Sequence, residues 1–293
     1  IQDDYRVTSK LTLNLGLRYE YETPRTERYN RTTRGFDYTA KSPVQVPGMD
    51  LRGGLLFAGE GGLPRGLLNP DRNNFAPRFG FAYNVANRTV LRGGYALHYI
   101  PTVGSVEPTG FSVTTPFVVS QDGITPKDRL SNPFPGGLLQ PIGSSLGLGT
   151  LVGQNVSFVS PGDRTAMLHT WNFNIQREVV RGSVLQVGYV GSRGLRLIPG
   201  GQWSTGQPEQ LNQLNPSFYS EGAALLQTVD NPFFGKFASG PLAGPRVQRQ
   251  QLLRPYPQFG NVTRLFGGYG NSIYHALQSK LETRMRGGIS MIA

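Results

Sequence analysis

Three histidines, one acidic doublet and a few strand-borne arginines are the side chains of this chain with chemistry to offer. His98, His169 and His275 fall in separate segments. None stands in an H-E-x-x-H or comparable spacing that would set two imidazoles on one metal. No G-x-S-x-G elbow presents a nucleophile, and no glycine-rich loop ends in the lysine of a phosphate cradle. Gly59–Gly66 is rich in glycine but lacks the strand before and the helix after, so it reads as a loop. Asp3 and Asp4 lie beside a turn and read as a strand-end feature rather than an acid/base pair. The expectation is a protein that is not an enzyme, with no catalytic residue, no metal ligand and no cofactor.

Arg18, Arg78 and Arg92 are different, because each stands at a polar position inside an apolar run. Three cations on one wall would attract an anionic solute or touch a domain lodged against that wall. The plainer reading pairs them with Glu20 and with carboxylates elsewhere. They are the candidate ligand or plug contacts, and their meaning depends on the strands that carry them.

Leu11–Tyr21 reads L-T-L-N-L-G-L-R-Y-E-Y, with six apolar side chains alternating with Thr12, Asn14, Gly16, Arg18 and Glu20. A period of two over this length is a strand with one apolar and one polar face. Strands of soluble domains run about 5–6 residues. At about 3.4 Å per residue and a tilt of about 40° this one climbs roughly 27 Å, close to the apolar band of an outer-membrane barrel at about 25 Å. The pattern recurs. Phe75, Phe79, Phe81 and Tyr83 oppose Ala76, Arg78, Gly80 and Ala82; Leu91, Gly93, Tyr95, Leu97 and Tyr99 oppose Arg92, Gly94, Ala96 and His98. Trp171, Phe173 and Ile175 alternate with asparagines. Leu185, Val187 and Tyr189 do so with blurring by Val184 and Val190, and Ile273, Leu277 and Leu281 with His275 and Ser279 on the apolar side. Gly288–Ala293 begins a further strand.

Connections alternate between two kinds. Val85–Arg88, Val179–Ser183 and Met285–Gly288 are of hairpin length. The segments 22–74, 100–167 and 192–271 each exceed fifty residues and are rich in Gly, Pro, Asn and Ser. Loops longer than about 12–15 residues are uncommon in compact domains. Short turns at one rim and long loops at the other match the periplasmic and extracellular ends of a bacterial barrel. A soluble β-sandwich has no reason to keep that parity. Within the long connections, Arg246–Leu265 is expected to contain a strand-like stretch and Phe111–Ser120 a hairpin arm.

Composition narrows the partners. The net charge of +11 comes from 24 Arg and 5 Lys against 18 acidic residues, scattered singly. Nucleic-acid binding needs a basic stripe or a recognisable module, so no nucleic acid is expected, and anionic lipid or the polar barrel face accounts for the arginines. Cysteine is absent, which removes disulfide, zinc-finger and thiol-enzyme readings. A mean hydropathy of −0.30 is no objection to a barrel, in which every second residue faces the lumen. The sequons at Asn30, Asn87, Asn155 and Asn261 carry no meaning in a bacterial outer membrane.

With the strands placed, several phrases resemble a known family. Gln2–Tyr21, Asn73–Tyr83 and Val90–Tyr99 are similar to TonB-dependent receptor barrels. W-N-F-N-I-Q-R-E (Trp171–Glu178), L-L-R-P-Y-P-Q-F-G-N-V (Leu252–Val262) and Y-H-A-L-Q-S-K-L-E-T-R (Tyr274–Arg284) resemble its Oar-like branch, which carries a carboxypeptidase-regulatory-like domain before plug and barrel. The resemblance implies an all-β, antiparallel up-and-down transmembrane barrel of about 22 strands, of which residues 1–293 would provide about seven or eight. It implies as partners the TonB complex through N-terminal parts outside this chain, the protein's own plug domain, outer-membrane lipid and an unknown extracellular ligand. The chain opens I-Q-D-D-Y without a secretion signal and stops inside a strand, so it is expected to be an internal piece unable to transport alone. The leading expectation is a segment of an energised outer-membrane importer. The alternatives are a surface adhesion barrel without transport and a soluble secreted β-protein whose apolar faces cover one another.

Overall fold

The computed structural model describes residues 1–101, 108–199, 208–237, 239–284 and 290–293. Strands β1 (Gln2–Arg6), β2 (Leu11–Glu20), β3 (Thr33–Lys41), β4 (Arg52–Phe57), β5 (Asn74–Ala86) and β6 (Thr89–Ile100) come first. They are followed by β7 (Val156–Val159), β8 (Ala166–Val180), β9 (Ser183–Leu197), β10 (Glu209–Gln210) and β11 (Thr228–Asp230). Then come β12 (Arg246–Gln248), a single helical turn α1 (Arg249–Leu252), β13 (Val262–Leu265), β14 (Gly270–Arg284) and β15 (Ser290–Ile292).

Eight of these form one antiparallel sheet in the order β1-β2-β5-β6-β8-β9-β14-β15, an up-and-down meander in which each strand lies beside the next one of the wall. The register puts every expected apolar set on one side: Leu15 faces Phe79, Phe79 faces Tyr95, Tyr95 faces Trp171. Val184 and Val190 fall on the other side, opposite Glu178 and Asn172, so the blurred strand keeps its alternation. Two glycines let the aromatic rings lie flat on the wall. A Cβ on Gly191 would collide with the Trp171 indole, and one on Gly93 with the Phe81 ring.

The turns of the short rim follow from local chemistry. The β5–β6 turn closes on Arg88 at φ 64°, and the β8–β9 turn on Gly182 at φ 82°. Each follows a bulge in the strand, a common three-residue hairpin arrangement. Glu178 Oε1 accepts the Gly182 N–H at 3.0 Å. The third short turn, Met285–Gly288, lies outside the described residues. Strands β8, β9 and β14 each have 15 residues, longer than the alternation alone indicates. At the same rise and tilt they climb about 39 Å, so their far ends project past the apolar band.

On those ends sits a cap built from the three long connections. β3 and β4 pair within the first. β13 of the third runs parallel to β7 of the second and also pairs β10. Phe36, Leu55 and Phe57 from the first connection pack with Val156 and Phe158 from the second and with Phe259 and Val262 from the third in one cluster. Phe158 and Phe259 are wholly buried, whereas Leu15 and Leu277 of the wall are 46% and 78% exposed. The main protein interior is therefore in the cap, and the apolar side of the wall is open to whatever surrounds it.

Of the two local expectations inside the connections, one is corrected and the other holds at the ends of its range. Phe111–Ser120 forms no hairpin arm. Only an isolated bridge joins Ser120 to Pro126, because Pro116 interrupts the ladder and Thr115 Oγ1 instead accepts the Leu139 N–H at 2.8 Å. Arg246–Leu265 does contain strand, β12 and β13 at its two ends, while Pro255 and Pro257 withdraw two backbone donors from its middle.

A cation on the open side should be costly. Phe173→Arg is expected to destabilise the folded, bilayer-embedded protein by about 2–4 kcal/mol. Asn172→Arg, on the opposite face, should change it little. Urea titration in liposomes measures both, and equal losses would contradict the assignment of faces.

Candidate ligand-binding cap and inner wall

The inner side of the wall is a polar surface built two residues at a time. Gln176 Nε2 donates to Gln186 Oε1 at 3.0 Å, and Gln186 Nε2 donates to Asn174 Oδ1 at 3.2 Å. The three candidate arginines all stand on this side. Arg78 faces Gly16 and Ala96, and Arg18 faces Ala76, one diagonal step away. Arg92 faces Ala82, four residues along β5 from Arg78, or about 14 Å toward the short rim. The register thus brings Arg18 and Arg78 together and leaves Arg92 apart. Arg18 Nε reaches Glu20 Oε1 at 2.9 Å, and Arg78 Nε is buried with no hydrogen-bond partner among the described residues.

The histidines divide between the faces. His98 points to the inner side, opposite Leu168. His169 and His275 are on the apolar side, where their Nδ1 atoms share hydrogen bonds with Tyr95 and Tyr189 at 2.8 and 2.6 Å. The Trp171 and His275 rings lie 6.0 Å apart. Tyrosine, tryptophan and histidine thus form a band toward the cap, the composition expected where a wall passes from hydrocarbon to headgroups.

In the cap, side chains replace the ladder that the prolines forbid. Asn212 Nδ2 donates to the carbonyls of Tyr256, Phe259 and Gly260 at 2.8–3.2 Å, and its Oδ1 accepts the Tyr256 N–H at 2.8 Å. Gln258, fully buried, donates from Nε2 to the Arg52 carbonyl at 2.7 Å across 206 residues of sequence. The phrase R-P-Y-P-Q-F-G is therefore a clamp holding the third connection to the first. Arg34 binds the Gly66 carbonyl and Asn69 Oδ1 at 2.8 and 2.7 Å, and burial pulls its guanidinium below the usual arginine range.

One charge cluster also ties the connections. Arg264 of β13 pairs with Asp163 and, at 3.0 Å, with Glu209. Burial holds the Asp163 carboxyl above its ordinary range, with the Arg264 guanidinium pulling the other way. The neighbouring carboxylates outweigh desolvation at Arg264 and raise its pKa. Beside this cluster is a narrow recess of about 40 Å³, lined by the apolar side chains of Leu67, Val159 and Phe266 and by the carboxylates of Glu22, Asp71 and Asp163. No sequence motif announced these residues, because their partners lie 55 and 101 positions away.

Removing the cation should leave a buried carboxylate without compensation. Arg264→Met is expected to cost about 3 kcal/mol of cap stability at pH 7, the low end for buried pairs because neither partner is fully enclosed. A carboxyl whose pKa is raised by folding stabilises fully below its unfolded value and loses that contribution as pH rises through the folded one. The variant's deficit should therefore shrink as pH falls from 7 toward 5. Limited proteolysis of the cap against pH reads this out, and a pH-independent deficit would contradict it.

A family model described as an outer membrane beta barrel domain matches residues 1–293. No curated protein matches the chain. Among solved structures the chain is similar to a double mutant of the Serratia marcescens hemophore receptor HasR in complex with its hemophore HasA and heme. The identity is 10% and the TM-score 0.36, over 95% of this chain and 30% of that one. The chain thus spans about 30% of that receptor's length. With the family model covering every residue, and with an open apolar wall, short turns at one rim and a folded cap at the other, the chain belongs to the outer membrane beta-barrel domain family and resides in the bacterial outer membrane.

Proposed function

We propose that this chain is the wall-and-cap segment of a TonB-dependent receptor of the Oar-like branch, which captures an extracellular ligand and passes it through an energised, plugged barrel. The observation that carries the reading is the convergence of three long connections on one packed core above a single rim. Such a cap orders its recesses before any ligand arrives, which reduces the entropy lost on binding. In this reading Arg18, Arg78 and Arg92 face the protein's own plug domain, whose carboxylates would satisfy the buried Arg78 Nε. The chain performs no chemical step of its own.

A folded cap would also suit an adhesion barrel, and energy coupling separates the two. The full-length parent, purified in detergent, should bind the isolated C-terminal domain of TonB in a one-to-one complex by calorimetry. Deleting the parent's most N-terminal segment should abolish that binding. A parent that never engages TonB is an adhesin or an unenergised barrel, and the import reading then fails.

A further inference from the structure

The third connection holds a second recess, of about 420 Å³, within the size range of small-molecule sites. One side is the 3-10 segment Pro216–Leu226, started by the Asn215 side chain accepting the Ser217 N–H at 3.0 Å and kinked at Gly222. The other is the arm from Gln250 to Asn261, clamped by Asn212. Both sides are therefore held in place by the fold.

Arg254 lines this recess and is anomalous among its neighbours. Arg249 is paired with Glu221, Arg246 with Asp230, and Arg264 with two carboxylates. Arg254 has no carboxylate partner among the described residues. Its Nε is buried without a hydrogen bond, and its Nη1 makes only a long 3.4 Å contact to the Gly260 carbonyl. A half-buried cation left this way is costly unless an anion joins it. Burial also draws its guanidinium below the usual arginine range.

The surrounding groups define the anion. The Gln213 and Asn261 side-chain amides line the recess, are exposed, and make no hydrogen bond among the described residues. Gln250 Nε2 bonds Gln248 at 2.6 Å, which leaves its own carbonyl oxygen available. An amide offers a donor and an acceptor side by side, which suits neighbouring hydroxyls of a sugar ring. The Tyr219 ring, 59% exposed, is a platform for the C–H face of such a ring. One guanidinium matches one carboxylate in a bidentate pair; a phosphate or a polyanionic chelate would call for more cations than the single one present.

We propose that this recess is a binding site for a carboxylated carbohydrate, with Arg254 on the carboxylate, Gln213 and Asn261 on hydroxyls and Tyr219 beneath the ring. The assignment rests on the cap being the capture surface and is independent of energised import. The test uses the full-length parent in detergent on a glycan array pairing galacturonate, mannuronate, guluronate and sialate oligosaccharides with neutral counterparts in which the acid is esterified or reduced. At least one acidic glycan should bind at least tenfold more tightly than its neutral partner. Arg254→Gln should remove that preference, and Arg254→Lys should restore part of it. Gln213→Ala touches only an exposed side chain, so it should keep the fold, judged by the heat-modifiable gel band, and weaken binding about threefold or more. No acidic preference across the array, or one that survives Arg254→Gln, overturns the site. If TonB binds and no acidic glycan does, this assignment fails and the receptor reading stands; if the glycan binds and TonB does not, the import reading fails and the site stands.

Discussion

Hydrocarbon accepts no hydrogen bonds, and that single constraint orders the rest of this molecule. Each backbone N–H and C=O within the bilayer must find a partner in a neighbouring strand. The eight-stranded meander meets this with ladders that run almost unbroken from β2 through β14, interrupted by bulges at the short turns and once near Gly270. The same ladders force successive side chains to opposite sides. A polar inner face and an apolar outer face then follow from the sequence at every second residue. The two end strands, β1 and β15, are not paired with one another among the described residues.

Because the wall turns its apolar side outward, it contributes little to a protein core. The packing that a soluble domain would place between its sheets is moved to the cap. Phe36, Phe158 and Phe259 meet there from three connections, with Phe36 5.5 Å from Phe158 and 5.8 Å from Phe259 between ring centroids. A cap anchored on three pairs of wall strands costs less chain entropy to order than three free loops would, since the strands already hold the loop ends in place. Polar side chains finish the work. Asn212 and Asn231 satisfy backbone groups that no strand reaches, and Gln258 binds the Arg52 carbonyl at the start of β4.

The wall was legible in the sequence because its physics is local. Period-two alternation survives in Leu11–Tyr21 and Phe75–Asn84 without reference to any other segment, and the short turns follow from the residues between the runs. The cap was legible only as length and composition. Its decisive contacts join Gln258 to Arg52 and Arg264 to Asp163, and no local spacing encodes such pairs. The failed hairpin at Phe111–Ser120 shows the same limit from the other side. Its apolar residues suggested a strand, yet Pro116 and a distant Leu139 decided the outcome. Among the candidate arginines, residue type and face could be read directly. Their relative heights needed the register, which separated Arg92 from the other two.

The arginines also show how one residue type serves three environments in one chain. On the inner wall, Arg18 lies against Glu20 beside an aqueous or protein-filled lumen, where an exposed pair contributes about 0–1 kcal/mol. In the cap, Arg264 is enclosed with Asp163 and Glu209, and its value lies in what its loss would expose. Arg254 is enclosed to a similar degree but meets amides and a carbonyl instead of carboxylates. The fold has already desolvated that guanidinium and fixed the arm that carries it. An incoming carboxylate would therefore meet a donor fork whose ordering cost was met during folding. That difference between Arg264 and Arg254, both partly buried and opposite in partnership, separates a cation that holds the cap together from one left without a carboxylate.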